Sequence, residues 1–136
     1  MTAHAPGTHA GAVSGIGVDA VDVDRFRALL ERRPGVVDRL FTTSEYAYAS
    51  GSRDPAPRLA VRFAAKEAVL KALGVGIGAA DFREVEVRRG ESGAPRLELA
   101  GRAAALAAER GVARWHVSLT HTDTVAVASV IAERDR

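Results

Sequence analysis

Two lysines in one short segment are suited to phosphate or proton chemistry. Lys66 and Lys71 are the only lysines among 19 basic residues, and Glu67 lies between them. If the segment is helical, Glu67 and Lys71 are four residues apart and share one face. An ordinary surface ion pair has the same spacing, so the pair alone leaves a structural and a chemical role open.

A second acidic residue, Asp19, follows an apolar run that contains two glycines. The run at 13–18 predicts a short buried strand that ends at Asp19. Asp22 or Asp24 can cap the next helix, so Asp19 is not needed as a cap. It could bond backbone amides at the strand end. Alternatively, Asp19 and Glu67 could supply the two carboxylates that Mg²⁺ typically takes from a protein, with water and substrate phosphates as its other ligands.

The pattern of apolar and turn residues predicts an α+β fold, in which an antiparallel sheet packs against a long helix and shorter helices. A single domain is expected at 13–133, after a disordered tail at 1–12. Helix caps, glycine stops and the change to a period of two define the elements. The predicted helices are 24–33, 36–41, 42–49, 57–73 and 101–110, and the predicted strands are 13–18, 82–88, 97–99, 115–120 and 124–132.

Composition excludes several classes of protein. The sequence contains no cysteine, so disulfides, cysteine-based zinc sites and a thiol nucleophile are excluded. No apolar run approaches the ~18 residues of a membrane span, and residues 1–12 lack the features of a secretory leader, so we expect a cytoplasmic protein that does not bind a membrane. A net charge of +2 and few aromatic residues argue against a nucleic-acid binder, although the pI of about 9.5 and the arginine content keep a nucleic-acid-associated protein as a further alternative.

Arginines are concentrated between residues 25 and 39. A solvated helix face, balanced by Glu31 and Asp38, would explain them. A docking surface for an acidic partner would explain them equally well, and both interpretations remain open. The arginines in this segment are Arg25, Arg27, Arg32, Arg33 and Arg39.

An ordered set of motifs resembles the holo-acyl-carrier-protein synthases, the small trimeric type of 4′-phosphopantetheinyl transferase. The resemblance covers about 13–133, so only the two ends of the chain fall outside it. Each motif is weak alone, whereas their order and separations together are specific. The motifs are Gly15-Ile16-Gly17-Val18-Asp19, Arg25-Phe26, Arg62-Phe63-Ala64-Ala65-Lys66-Glu67-Ala68, Lys71-Ala72, Gly74-Val75-Gly76-Ile77-Gly78 and His116-Val117-Ser118-Leu119-Thr120-His121-Thr122.

The resemblance implies an Mg²⁺-dependent enzyme that moves the 4′-phosphopantetheine arm of coenzyme A onto a serine of an apo acyl carrier protein. Family members are homotrimers with active sites between subunits. The resemblance assigns Asp19 and Glu67 to the metal. These two residues and Lys71 form the expected catalytic set, and Lys71, with Lys66 as a further candidate, would compensate phosphate charge.

The resemblance also implies contacts for the rest of coenzyme A and for the carrier. His121 and Thr122 would contribute at the subunit interface. Gly93, Pro95 and Arg96 match the turn beside the adenine end of coenzyme A. The expected carrier-binding residues are Arg25, Arg32, Arg33 and Arg39.

Two questions stay open at the level of sequence. Pro34-Gly35, Val36 and the loop at 50–57 depart from the expected pattern, so a carrier of fatty-acid synthesis and one of a polyketide pathway are both compatible. The alternative function is a non-catalytic module that docks an acidic carrier. Such a module would keep the arginines but would need neither Asp19 nor Glu67.

Overall fold

The structure is a computed structural model that describes residues 11–90 and 92–136. The predicted α+β class is confirmed, and all five helices lie within one residue of their predicted bounds. Most of the expected tail, residues 1–10, lies outside the described part. The elements are β1 Gly11–Asp22, α1 Val23–Arg32, α2 Val36–Leu40, α3 Thr43–Ser50, α4 Ala56–Ala72, a 3₁₀ turn Phe82–Glu84, β2 Val85–Arg89, β3 Pro95–Leu99, α5 Gly101–Glu109, β4 Val112–His121 and β5 Val125–Asp135.

Three strands form an antiparallel sheet with β5 between β1 and β4, and β2 and β3 form a separate hairpin. The sheet strands are longer than the apolar runs that predicted them. Gly11 and Ala12 belong to β1 rather than to a tail, and β4 begins at Val112 rather than at Trp115. Pairing with the central strand explains this, because hydrogen bonds of the ladder continue beyond the apolar residues.

Polar side chains fix the starts of the helices. The Asp22 carboxylate accepts a hydrogen bond from the Arg25 backbone N–H at 2.9 Å, so Asp22 is the N-cap of α1 and Asp24 is not. Thr42 and Glu45 form the predicted capping box at the start of α3. Both caps satisfy amide groups that have no partner within the helix.

The long helix α4 packs against β1 and β5 and separates two apolar clusters. One cluster lies between α4, the sheet, the hairpin and α5, and the other lies between α4 and helices α1 to α3. The small alanine side chains of α4 allow close packing against the sheet, and two glycines of β1 leave room for the helix backbone. A Cβ atom on Gly17 would overlap the carbonyl oxygen of Ala68, and one on Gly15 would overlap that of Ala72. These glycines therefore let α4 lie directly on β1.

Candidate active site

Asp19, Glu67 and Lys71 come together where α4 lies on β1. The Lys71 ammonium group donates to the Asp19 carboxylate at 3.0 Å and to the Val18 carbonyl oxygen at 2.9 Å. Glu67 lies one turn before Lys71 on α4 and interacts electrostatically with both residues. The structure therefore brings together the three residues that the sequence pattern selected.

Asp19 does not lie at a strand end, which corrects the expectation from sequence. It lies within β1 and pairs with Ala128 of β5. Its direction follows from the alternation of a strand, because Gly15, Gly17 and Asp19 share the face toward α4. The glycines let α4 lie close to β1, and the Asp19 carboxylate, two residues after Gly17, lies on the same face toward the helix.

Glu67 has an altered affinity for protons. Burial raises the pKa of the Glu67 carboxyl, and the negative charge of Asp19 raises it further, whereas Lys71 opposes the change. Two carboxylates in one partly buried place repel each other, so the cluster favours a cation between them. In the described structure the Lys71 ammonium group is the cation that interacts with both carboxylates.

The donor set suits a hard divalent cation. Asp19 and Glu67 offer only carboxylate oxygens, and the described residues contain no cluster of three or more histidine, cysteine, aspartate or glutamate side chains placed to bind a metal. A site for zinc normally uses three or four protein ligands, whereas Mg²⁺ keeps water and substrate phosphates in its coordination sphere. The two carboxylates therefore fit Mg²⁺ bound together with a phosphate-bearing substrate.

Lys66 lies elsewhere, and its expected contact with phosphate is corrected. Its side chain is fully buried, and its ammonium group donates to Glu45 at 2.7 Å and to the carbonyl oxygens of Phe82 and Val85 at 2.9 and 2.5 Å. Glu45 in turn accepts from the Val87 backbone N–H at 2.9 Å. All three donor positions of Lys66 are occupied inside the protein, so this lysine joins α4 to α3 and the hairpin.

A cavity of about 300 Å³ lies between α3, α4, β3 and the end of β4. Pro95 and His121, two of the expected ligand-binding residues, line it. Four further polar residues line it that sequence reasoning did not select: Tyr48, Arg58, Arg62 and Arg89. The sequence contains a signal for two of them. Arg58, Arg62 and Lys66 are spaced four residues apart on α4, so three positive charges share one face of the helix. Like charges at this spacing are unfavourable unless an anion or a buried partner compensates them.

The other expected ligand residues lie around this cavity in different ways. Gly93 has φ of +84°, as the β2–β3 turn requires, and Glu91 of that turn lies outside the described residues. Thr122 accepts from the Val125 backbone N–H at 3.1 Å and so shapes the β4–β5 turn. Arg96 is exposed on the face of β3 opposite Pro95, with Glu98 at 3.9 Å, and does not line this cavity, so its expected contact with coenzyme A stays a prediction.

The expected carrier-binding arginines are exposed and lie on or beside α1 and α2. None of them forms an ion pair within residues 11–90 and 92–136. Arg27 differs, because Asp24 at 2.7 Å and Asp54 at 2.5 Å bind its guanidinium group. The four exposed residues are Arg25, Arg32, Arg33 and Arg39.

Comparison with known proteins identifies the family. Residues 15–128 match the model of the 4′-phosphopantetheinyl transferase superfamily. The chain belongs to this superfamily. It is 51% identical over 121 residues to the holo-[acyl-carrier-protein] synthase of Streptomyces avermitilis, covering 89% of this chain and 98% of that protein. It is 52% identical over 122 residues to the synthase of Frankia casuarinae, covering 90% and 98%.

Solved structures of superfamily members share the fold. The holo-[acyl-carrier-protein] synthase of Neisseria meningitidis matches with a TM-score of 0.82 and 31% identity, covering 90% of this chain and all of that chain. The synthase of Bacillus anthracis, determined in complex with coenzyme A (3′,5′-ADP), matches with a TM-score of 0.76 and 32% identity, covering 90% and 98%.

No helix in the described ranges is both long and apolar enough to cross a membrane.

Proposed function

We propose that this protein transfers the 4′-phosphopantetheine group of coenzyme A to a serine hydroxyl of an apo acyl carrier protein and releases adenosine 3′,5′-bisphosphate. The observation that carries the proposal is the convergence of Asp19, Glu67 and Lys71 in a superfamily member whose relatives at about 50% identity are named for this reaction. The docking-module alternative is not favoured, because it gives these three residues no role.

The transfer forms a bond between the serine oxygen and the phosphorus of phosphopantetheine and breaks the bond from that phosphorus to the bridging oxygen of the pyrophosphate. The protein must align the two partners and compensate charge. Lys71 is half exposed, so its ammonium group can turn from Asp19 toward a pyrophosphate oxygen. The serine proton leaves toward Glu67, either to the carboxylate itself or to a water molecule beside it.

Asp19 and Glu67 are the residues that would bind Mg²⁺. When bound, Mg²⁺ supplies positive charge to the pyrophosphate oxygens. Burial is the main cause of the raised pKa of Glu67, and the negative charge of Asp19 adds to it, so a cation bound between the two carboxylates would be favourable, which supports the assignment. Lys71 would then be released from Asp19 to contact substrate.

We assign the nucleotide end of coenzyme A to the cavity beside Pro95 and His121. Three arginines line this cavity, and its volume of about 300 Å³ suits a nucleotide fragment rather than a whole coenzyme. Its lining residues do not include Asp19, Glu67 or Lys71. A complete site therefore needs coenzyme A to bridge two places, and we propose that His121 and Thr122 of one subunit face the carboxylates of a neighbour.

The outer face of the β1–β5–β4 sheet supports assembly. Val13, Ile16 and Val18 are 66%, 68% and 56% exposed on this face. Ile16 pairs with Ile131 of β5, so the apolar surface continues across strands. Monomers rarely expose a contiguous apolar patch of this kind. We propose that copies of the chain cover it, and the choice of a homotrimer rests on the family resemblance.

Exposed arginines support an acidic carrier as the partner. Arg25 and Arg32 are seven residues apart on α1, with the half-buried Leu29 between them, so basic and apolar groups share one face. Arg33 and Arg39 extend the positive charge and would accelerate encounter with an acidic protein. We propose that transfer takes place in the cytoplasm, with a fatty-acid or a polyketide carrier.

The test is intact-mass spectrometry of apo carrier proteins, one from fatty-acid synthesis and one from a polyketide pathway, incubated with this protein, coenzyme A and Mg²⁺. We expect one phosphopantetheine-sized mass gain on at least one carrier and none in the presence of EDTA. No gain on either carrier would contradict the proposal. A mass gain that EDTA leaves unchanged would support the transfer reaction but contradict its dependence on Mg²⁺.

A further inference from the structure

An apolar groove of about 500 Å³ lies on the surface between α1, α2, α3 and the start of α4. Leu59 of α4 is buried at its base, and Leu30 and Val37 are half buried along its sides. We call it the α1–α3 groove. None of the residues assigned above to coenzyme A, the metal or the carrier lines it, so the proposed transfer reaction does not explain it.

The α1–α3 groove has an exposed aromatic side chain and rigid borders. Tyr46 of α3 lines it and is 47% exposed, and its hydroxyl forms no hydrogen bond within the part of the chain that the structure describes. A tyrosine in this position is typical of protein interfaces, because its ring supplies contact area and its hydroxyl supplies a hydrogen bond. Pro34 and Pro55 restrict the backbone at the border, so the groove is largely formed before a partner binds.

The charges around the groove favour a basic partner. Three carboxylates and one guanidinium group line it. The guanidinium group, that of Arg27, is already bound by Asp24 at 2.7 Å and by Asp54 at 2.5 Å. The other two carboxylates, Glu31 and Asp38, are exposed and form no ion pair within residues 11–90 and 92–136. Two uncompensated negative charges therefore lie beside an apolar surface.

The groove lies on a different side of α1 from the proposed carrier surface. Arg25 and Arg32 share one side of this helix. Arg27 and Glu31, one turn apart, lie on the opposite side, because each residue of a helix advances by about 100°. An acidic carrier is attracted to the first side and repelled by the carboxylates of the second. The molecule that fits the groove is therefore of opposite charge to the carrier.

The groove suits a side chain presented by a larger partner. Its volume falls within the range of pockets for small molecules, but such pockets enclose most of their ligand, whereas this groove is open to solvent along one side. A partner protein closes the open side and excludes water around an apolar side chain that fills the base.

We propose that the α1–α3 groove is the docking site for a basic segment of a partner protein. An apolar side chain of that segment inserts between Leu30 and Leu59 and packs on the Tyr46 ring. Lysine or arginine side chains on either side of it pair with Glu31 and Asp38. The inference stands apart from the proposed function, because it uses none of the residues of the transfer reaction.

The test is a titration of the isotope-labelled full chain with three short capped peptides, followed by nuclear magnetic resonance. The first peptide has two lysines flanking two leucines. The second has glutamates in place of the lysines, and the third has serines in place of the leucines. We expect the first peptide to shift the amide signals of Leu30, Val37 and Tyr46, and to bind about fivefold or more tightly than the other two.

Variants test the two parts of the site separately. In the double variant Glu31→Gln with Asp38→Asn, we expect about fivefold weaker binding of the first peptide, because two exposed ion pairs are lost. In Tyr46→Ser we expect about tenfold weaker binding through lost contact area. If Tyr46→Ser does not fold, the double variant carries the test.

The matched control is Asp81→Asn with Glu109→Gln. It removes the same charge from residues that do not line the groove, and asparagine keeps the cap that Asp81 forms before the 3₁₀ turn. We expect this control to bind the first peptide like the wild type. Equal weakening in the control and in the double variant of the groove would overturn the proposal, because it would show attraction to the overall charge of the protein.

Other outcomes would also overturn the proposal. One is the absence of shifts in the groove at millimolar concentrations of the first peptide, and another is equally tight binding of the glutamate peptide. Groove signals that change with the concentration of the protein alone would make a second copy of the chain the occupant. Hexylamine that binds the groove as tightly as the first peptide would make it a pocket for small molecules.

Discussion

Lys66 and Lys71 are five residues apart on α4, and each pairs with one carboxylate, yet their surroundings are opposite. Lys66 and Glu45 are both fully buried, with their nitrogen and oxygen 2.7 Å apart. Lys71 is 53% exposed and lies 3.0 Å from Asp19, which is 13% exposed. The buried lysine has every donor occupied by protein, whereas the other lysine keeps donors for a ligand.

The difference shows that the burial of a lysine–carboxylate pair, and not its residue types, determines its role. A buried pair is costly to break, because the remaining charge stays in a medium of low polarity. An exposed pair contributes little to stability, because water screens it. The first pair should therefore affect folding when it is cut, and the second should affect activity.

The largest expected effect comes from cutting the buried pair. Lys66→Met leaves the Glu45 carboxylate buried without its cation, and we expect the free energy of unfolding to fall by about 3–5 kcal/mol. Denaturant unfolding followed by circular dichroism measures it. The double variant Lys66→Met with Glu45→Gln should lose less than the single variant, because no buried charge remains.

The opposite result would support the original expectation that Lys66 contacts the phosphates of coenzyme A. If Lys66→Met unfolds like the wild type and instead shows a raised KM for coenzyme A, the buried pair does not exist in solution. The distinction between the two lysines would then be wrong.

The next largest effect comes from Glu67→Gln, which should reduce kcat by about 10²–10³-fold while the protein stays folded. Its stability should even rise near neutral pH. The pKa of Glu67 is raised in the folded state above its ordinary value of 4.5, so its stabilising contribution is present at low pH and is lost as the pH rises through the folded value. Because Glu67 is partly exposed, the gain should be below about 1 kcal/mol.

Unfolding curves of Glu67→Gln and the wild type at acidic and neutral pH check the sign. A variant that is less stable at neutral pH, or one that transfers phosphopantetheine at the wild-type rate, would remove Glu67 from the account.

The sequence allowed correct prediction of the helices, because caps and glycine stops are local. It also singled out Asp19, Glu67 and Lys71, which the structure brings together, and their roles stay a prediction. It did not reveal the burial of Lys66, whose partners Glu45 and Val85 are distant in the chain. The extent of β1 was underestimated for the same reason, since pairing with β5 determines it.

The arginine cavity was missed because its members come from three elements. Only the folded chain brings Tyr48 beside Arg58, Arg62 and Arg89. The like-charge spacing on α4 was present in the sequence, but spacing alone does not show where an anion would bind.

A glycine substitution tests whether close packing of α4 on β1 positions the exposed pair. In Gly17→Ala the new Cβ would overlap the Ala68 carbonyl oxygen, so the helix must shift, and we expect a loss of about 1–3 kcal/mol in stability together with reduced kcat. Gly76→Ala is the matched control, because nothing lies within 4 Å of a Cβ at that position. Equal behaviour of both variants in thermal unfolding and transfer assays would show that the packing does not position the site.

The smallest expected effect is that of Lys71→Met. Its ion pair with Asp19 is exposed, so the unfolding free energy should change by less than about 1 kcal/mol. KM for coenzyme A should rise about tenfold through the lost phosphate contact. An unchanged KM in steady-state assays would make Lys71 an ordinary surface ion-pair partner.

The most direct test of the central claim compares Asp19→Asn with Asp22→Asn. Both remove one carboxylate from β1, but Asp22 caps α1, a role that asparagine also fills. Intact-mass time courses of an apo carrier protein with coenzyme A and Mg²⁺ should show nearly wild-type transfer by Asp22→Asn and almost none by Asp19→Asn. Transfer by Asp19→Asn at the rate of Asp22→Asn would contradict the claim that the carboxylate cluster on α4 and β1 is the catalytic centre.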